Sequence, residues 1–359
     1  ETLGSKIVSF LPGNPARGRA ALAGFVALFD PDSGAPLAIV DGRVITEVRT
    51  AAVSGLAARH LARTGARSCG IIGTGAQADA HIDAMCAVRP VEEVVIWGRS
   101  PEKARALAAR HAERHGIVAR ATQDRAEAAA CDLVCTATIS VEPVLEGDWL
   151  QPGAHVSLVG AHDLQSRESD TKTILISKCY VDSVESTLKE GGDIMMPIEE
   201  GAIDRDHIVG EIGQLLAGAV PGRESEDEIT LYNSLGIVAQ DLYAALHVLR
   251  QAEERRTAIR RIEHRLHRVR QRVHHLLRTR DPVPVTRDRL ERIVDRDRRI
   301  AELLDLLEHG VGDPALERVA RDQQQRQPVG VGDLLWRADA AVHGDDDSCS
   351  LLGQLGQRF

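Results

Sequence analysis

Gly73-Thr74-Gly75-Ala76-Gln77-Ala78 is the stretch whose residue types and spacing most directly imply chemistry. It is a G-x-G-x-x-A run that follows an apolar segment, Cys69–Ile72, and opens a helical pattern. That context is what a dinucleotide-binding turn requires. Gly73 permits the tight turn, Gly75 lets the backbone approach a pyrophosphate, and Ala78 lets helix and strand pack closely. The helix start then offers free N–H groups and the positive end of a dipole to the phosphates. The bland alternative, a glycine-rich turn without a ligand, explains the glycines but not their order.

A second strand ends about two dozen residues on, where a ribose reader is expected. An NAD site places an acid there. This chain has Trp97-Gly98-Arg99-Ser100 instead. Arg99 can pair with a 2′-phosphate and Ser100 can donate a hydrogen bond to it. The expectation is NADP(H) in preference to NAD(H), against the alternative that Arg99 is a solvated loop charge. Thr136-Ala137-Thr138 closes a third strand, and small polar residues there line a cofactor crevice.

The elements that must hold these residues alternate in type. Phe25–Phe29 and Leu37–Val40 read as short strands around the turn residues Asp30 to Gly34. Asp41-Gly42 reads as a further turn before a strand at Val44–Thr46, which completes an antiparallel meander. A helix is expected from Arg49 to Arg63. From Cys69 the rhythm becomes βαβ: helices at Ala76–Val88 and Pro101–His115, strands at Val94–Trp97, Leu133–Ala137, Val156–Val159 and Tyr180–Val181. Ser100 is the expected N-cap of the second helix and Pro101 its first residue. Strands alternating with helices predict an α/β fold with a doubly wound parallel sheet. Glu228–Arg250 reads as one helix returning to the first domain. The expected organisation is residues 1–64, 65–222, 223–252 and a tail, 253–359.

The 359 residues carry 44 Lys+Arg against 53 Asp+Glu, a net charge of −9. Mild acidity of this kind gives no reason to expect nucleic acid or membrane as a partner. No run of about 18 apolar residues predicts a membrane span, and no secretory signal is seen. The six cysteines lack the spacing of a disulfide framework or of a Cys/His zinc site. A cytoplasmic protein without a metal is the expectation.

Taken together, several stretches resemble the ornithine cyclodeaminase/mu-crystallin family over about Leu3 to Ala252. They are Thr2–Phe10, Asp41–Thr46 with Arg49-Thr50-Ala51-Ala52, the glycine turn, Glu142–Leu145, Gln151–His155, Gly210–Gly213 and Ser234–Gly236. The resemblance implies a Rossmann domain inserted in a smaller α+β substrate domain, and a homodimer formed through the substrate domains. It implies hydride transfer between a nicotinamide and the α-carbon of an amino acid or its imine. By the same resemblance Arg49 grips the substrate α-carboxylate, and Lys6 lies near that carboxylate or the reacting nitrogen.

Two departures shape the expectation. Where ornithine cyclodeaminases carry a Gly-Asp pair, this chain reads Gly160-Ala161-His162-Asp163. His162 falls on the aspartate position and Asp163 follows it. His162 or Asp163 is therefore the expected proton-handling group, and imino-acid reduction is favoured over full cyclodeamination of ornithine. A non-catalytic NADP(H)-binding protein of the mu-crystallin kind is the remaining alternative. The chain also begins closer to Lys6 than family members do, which suggests a truncated N-terminus.

The tail differs in style. All five lysines precede residue 251, whereas the last 109 residues hold 21 arginines and no lysine. Arg255–Arg280 has ten arginines and one acid, with apolar residues spaced by three and four. That is an amphipathic basic helix, read as a non-native or solvated extension before a poorly ordered end, rather than as a nucleic-acid arm.

Overall fold

The computed structural model describes residues 2–11, 13–14 and 17–256. The basic helix and acid-rich end expected beyond them lie outside the described residues. Strands β1 (Leu3–Phe10), β2 (Leu22–Phe29) and β3 (Pro36–Asp41) form a small antiparallel sheet in chain order. Its register sets Lys6 opposite Val26 on the face that carries the buried Val26 and Leu28. On the other face Ile7 lies opposite Phe25, and Ile39 opposite Ala27.

Helix α1 (Gly42–Leu61) follows without a break. The strand expected at Val44–Thr46 is thus its first turn. Asp41 decides this, because its carboxylate accepts the N–H groups of Arg43 and Val44 at 2.8 and 3.0 Å, an N-cap rather than a hairpin corner.

The rest is a parallel α/β layer. Its elements are β4 (Ser68–Ile72), α2 (Ala76–Val88), β5 (Glu93–Trp97), α3 (Pro101–His115), β6 (Val118–Thr122), α4 (Arg125–Ala129), β7 (Leu133–Thr136), β8 (His155–Leu158), α5 (Thr171–Leu175), β9 (Ser177–Val181), α6 (Val184–Glu190), α7 (Gly192–Glu199), β10 (Ile208–Glu211), α8 (Ile212–Leu216) and β11 (Ile229–Asn233). A last helix, α9, covers residues 238–256. The eight strands run in the order β10-β9-β11-β8-β7-β4-β5-β6, all parallel. From β6 to β8 this is the doubly wound Rossmann order, which reverses between β4 and β7.

The helix expected over Glu228–Arg250 is two elements. Ile229-Thr230-Leu231-Tyr232 is β-branched and apolar, and it fills the slot between β8 and β9 with Thr230 to Tyr232 fully buried. Only after Gly236 does α9 begin. Its Ala245 joins Val26, Leu28 and Ile45 in a separate core, with Leu242, Leu246 and Leu249 packed on it.

The sheet buries both faces. Ile71, Val94, Ile96 and Leu133 meet Ala58, Ile82, Met85 and Leu107 of the helices on one side. Ile72, Val95, Val134, Val156 and Leu231 meet Ala128, Ile174 and Ile194 on the other. Among the described residues, no helix is long and apolar enough to cross a membrane.

Candidate active site

The glycine turn joins β4 to α2 beside the point where the strand order reverses. Gly73 has φ +139°, and a Cβ there would lie 2.4 Å from the Ala137 carbonyl oxygen, so only glycine fits. Its N–H donates to the Trp97 carbonyl at 2.9 Å, which fixes the turn against β5. Gly75 is the N-cap of α2 and has no side chain to satisfy the helix start. Gly75 and Ala76 are exposed, and a Cβ on Gly75 would meet nothing within 4 Å. Gln77 donates to the Thr46 carbonyl at 3.3 Å, while its buried Oε1 has no partner. An uncapped helix N-terminus over open space fits a dinucleotide pyrophosphate.

Arg99 is exposed just past β5 and makes no ion pair with any described residue. Ser100 is differently employed. Its Oγ accepts the Lys103 N–H at 3.3 Å and donates to Glu102 at 3.0 Å, so it caps α3. Thr136 and Thr138 do not present free hydroxyls either. Both donate to the fully buried Glu168, at 2.7 Å each. Glu168 also accepts the N–H groups of Thr138, Val159 and Gly160 at 2.7, 3.2 and 2.5 Å. It therefore ties together the loops that leave β7 and β8, and sequence reasoning passed over it.

Lys6, on β1, and Arg49, on α1, converge on a residue the sequence reading also missed. Asp241 of α9 accepts from Lys6 Nζ at 2.8 Å and from Arg49 Nε at 3.0 Å, with the same Oδ1. Arg49 Nη1 donates to Gln240 at 2.9 Å. Gln240 in turn donates to Asp182 at 2.6 Å, and Asp182 also accepts the Gly236 N–H at 2.6 Å and the Tyr232 hydroxyl. Burial beside Asp182 pushes the Tyr232 hydroxyl well above its usual pKa, so it stays a donor. Gly236 has φ +88°, and a Cβ there would lie 2.2 Å from Arg49 Nη1, so this glycine clears the guanidinium's space. The chain folds this way because α9 returns from the large sheet to the small one and brings its acid between two cations.

His162 lies in the loop after β8. Desolvation lowers its pKa, opposed most by Glu168, with Arg49 also acting to lower it. The ring is exposed in that loop and lies within the field of Arg49. Asp163 is exposed and accepts the Gln165 N–H at 2.8 Å, so its carboxylate shapes the loop. The fold thus brings Lys6, Arg49 and His162 toward the sheet's C-terminal edge, with the glycine turn on the same edge. It gives Ser100, Thr136 and Asp163 structural work.

Among the described residues nothing covers one apolar face of the small sheet. Leu3, Ile7, Phe25, Leu37 and Ile39 are exposed on it, Ile7 by 57% and Ile39 by 76%.

Comparison with known proteins adds to this geometry. The profile of the Ornithine cyclodeaminase/mu-crystallin family matches residues 1–256. The chain is 37% identical over 260 residues to Delta(1)-pyrroline-2-carboxylate reductase of Bacillus cereus, covering 71% of this chain and 79% of that protein. It is similar to a solved structure of Thermococcus litoralis Delta(1)-pyrroline-2-carboxylate reductase in complex with NADH and L-proline. That match has a TM-score of 0.69 at 38% identity, and covers 71% of this chain and 79% of the other. An archaeal alanine dehydrogenase dimer with bound NAD matches with a TM-score of 0.68 at 32% identity, covering 71% and 79%.

Proposed function

The chain belongs to the ornithine cyclodeaminase/mu-crystallin family, and from that premise we propose that it is a nicotinamide-dependent reductase of cyclic α-imino acids of the pyrroline-2-carboxylate class. The observation that carries the reading is the convergence of Lys6 and Arg49 on one buried carboxylate. When bound, a reduced nicotinamide supplies the hydride. Arg49 and Lys6 grip the substrate carboxylate and hold the α-carbon toward the glycine turn. A guanidinium fork and an ammonium both suit that anion. In its unprotonated form the His162 ring accepts a hydrogen bond from the protonated imine nitrogen, the form that takes up hydride. The C=N π pair becomes the amine lone pair, so no further proton has to move in that step. Orientation of the two reactants supplies much of the rate.

Reduction asks less of the site than cyclodeamination. The latter must also expel ammonia and return the hydride, and this chain has His162 where the cyclodeaminases carry a carboxylate. Relatives with NADH or NAD bound support nicotinamide use. The unpaired Arg99, with no acid beside it, supports NADPH as the better donor. The uncovered apolar face of the small sheet supports a homodimer formed there, in line with the dimer of the archaeal relative.

The test is a titration of purified protein with NADPH and NADH by nicotinamide fluorescence, followed by addition of pyrroline-2-carboxylate, piperideine-2-carboxylate or ornithine. Oxidation of the bound cofactor on adding a cyclic imine is the expected result. Proline and ammonia from ornithine without net cofactor change would make it a cyclodeaminase. Tight cofactor binding with no turnover would make it a binding protein. Light scattering tests the dimer, and a monomer at all concentrations would refute it.

A further inference from the structure

Helices α2 and α3 carry a cluster that the proposed reaction does not use. His111 and His115 stand one turn apart on α3, their rings stacked at 5.5 Å with planes 6° apart. Both face Asp83 of α2. His115 Nε2 lies 2.7 Å and His111 Nδ1 3.4 Å from the same Oδ1 of Asp83. One ligand atom from each of the three side chains fits within 4.8 Å of the others. We propose that Asp83, His111 and His115 form a binding site for a divalent transition-metal ion, zinc foremost, that ties α2 to α3.

The state of His111 carries the argument. Its side chain is fully buried. Its Nε2 is hydrogen-bonded to Asp79 at 2.7 Å, which places the proton on Nε2 and turns the Nδ1 lone pair toward the cluster. Nδ1 has no hydrogen-bond partner there. A buried imidazole oriented by a carboxylate, with its free nitrogen aimed at two other ligands, is the arrangement of a metal-bound histidine and its supporting acid. Zinc–nitrogen and zinc–oxygen bonds of about 2.0–2.2 Å at the tetrahedral angle separate ligand atoms by about 3.3–3.5 Å. The 3.4 Å between His111 Nδ1 and Asp83 Oδ1 is such an edge. The closer His115 contact is a hydrogen bond that an ion replaces. Arg114 holds the other Asp83 oxygen at 2.5 Å and so turns Oδ1 inward. His115 and Asp83 are partly exposed, which leaves a fourth position for water and a path for entry.

The experiment uses the full chain, stripped with chelator and titrated with Zn²⁺ by calorimetry, with Co²⁺ as the spectroscopic probe. The expected result is one strong equivalent, tetrahedral cobalt absorption without thiolate charge transfer, and a higher melting midpoint with metal. H115A and D83N each weaken Zn²⁺ binding at least tenfold. C86S, which changes the nearby half-buried thiol, leaves it unchanged. Melting of the metal-free variants establishes that they fold, and either of the two ligand variants suffices. Absence of a strong equivalent, binding unaltered in H115A and D83N, or binding lost in C86S would each overturn the site.

Discussion

Lys6 Nζ lies 2.8 Å from Asp241 Oδ1 and joins the first strand to the last described helix across 235 residues. Arg49 Nε meets the same oxygen from α1. Lys6 and Arg49 are about one-tenth exposed and Asp241 less. One buried acid therefore fixes the separation of two cations. Arg49 Nη2 makes no bond to any described residue and is free for a substrate carboxylate.

Arg49→Lys removes the fork but keeps the charge. It is expected to raise KM for a cyclic imino acid about ten- to a hundredfold, the equivalent of roughly 1.5–3 kcal/mol for a lost charged hydrogen bond. Lys6→Met should lower kcat/KM by a similar factor. NADPH affinity, read by fluorescence, should change in neither. A fall in cofactor affinity instead would place these residues outside the substrate site.

Arg99→Asp should reverse cofactor choice. An acid past β5 accepts the ribose 2′-OH and repels a 2′-phosphate. The NADPH-to-NADH ratio of kcat/KM should fall at least tenfold. An unchanged ratio would leave Arg99 as a solvated charge.

Stability should depend on pH through two buried groups of opposite sign. Burial lowers His81 to about 4, so the folded protein binds fewer protons than the unfolded chain below pH 6.5. That stability is present above 6.5 and lost as pH falls through 4. Burial beside Glu168 raises Asp193 to about 7. Its folded form holds the proton, so its stability is present at low pH and lost as pH rises through 7. At their limits the shifts are worth about 3.4 kcal/mol for His81 and about 4.4 kcal/mol for Asp193. Over pH 4 to 6.5 the two oppose. Asp193→Asn keeps the acceptor used by Ser169 and Glu168 and removes one of them. Its urea midpoint should climb more steeply from pH 5 to 7.5 than that of the parent. Parallel profiles would rule out the Asp193 shift.

Arg89→Met should destabilise without touching the site. The Arg89 guanidinium donates to the carbonyls of Ala58, Arg59, Ala62 and Arg63, the end of α1 and the residues just past it, at 2.8–2.9 Å. Removing it orphans the carbonyls of a buried helix end, at a cost of about 3 kcal/mol. Chemical denaturation measures this, and a loss under about 1 kcal/mol would mean that water replaces the cap.

Short-range signals read correctly wherever neighbouring residues decide the outcome. The apolar runs of β4, β5 and β7, the glycine turn and the Ser100-Pro101 cap specify their elements, because caps and periodicity act within a few residues, whereas β6 and α4 went unread. Those signals were enough for the α/β class, and the family motifs singled out Lys6 and Arg49 as candidates. Local reading failed where a distant partner chose the outcome. Ile229–Asn233 is a strand because a slot stands open between β8 and β9, which no local pattern reveals. Asp41 both ends β3 and caps α1, and the turn reading of Asp41-Gly42 weighed only the first. Asp241, Glu168 and Asp193 carry no motif. They matter because folding places them beside charges and N–H groups tens or hundreds of residues away. The same holds for His111 and His115, whose one-turn spacing gains meaning only when α2 brings Asp83 between them. Burial removes water from such groups, so tertiary structure alone decides whether each finds a partner and hence what it does.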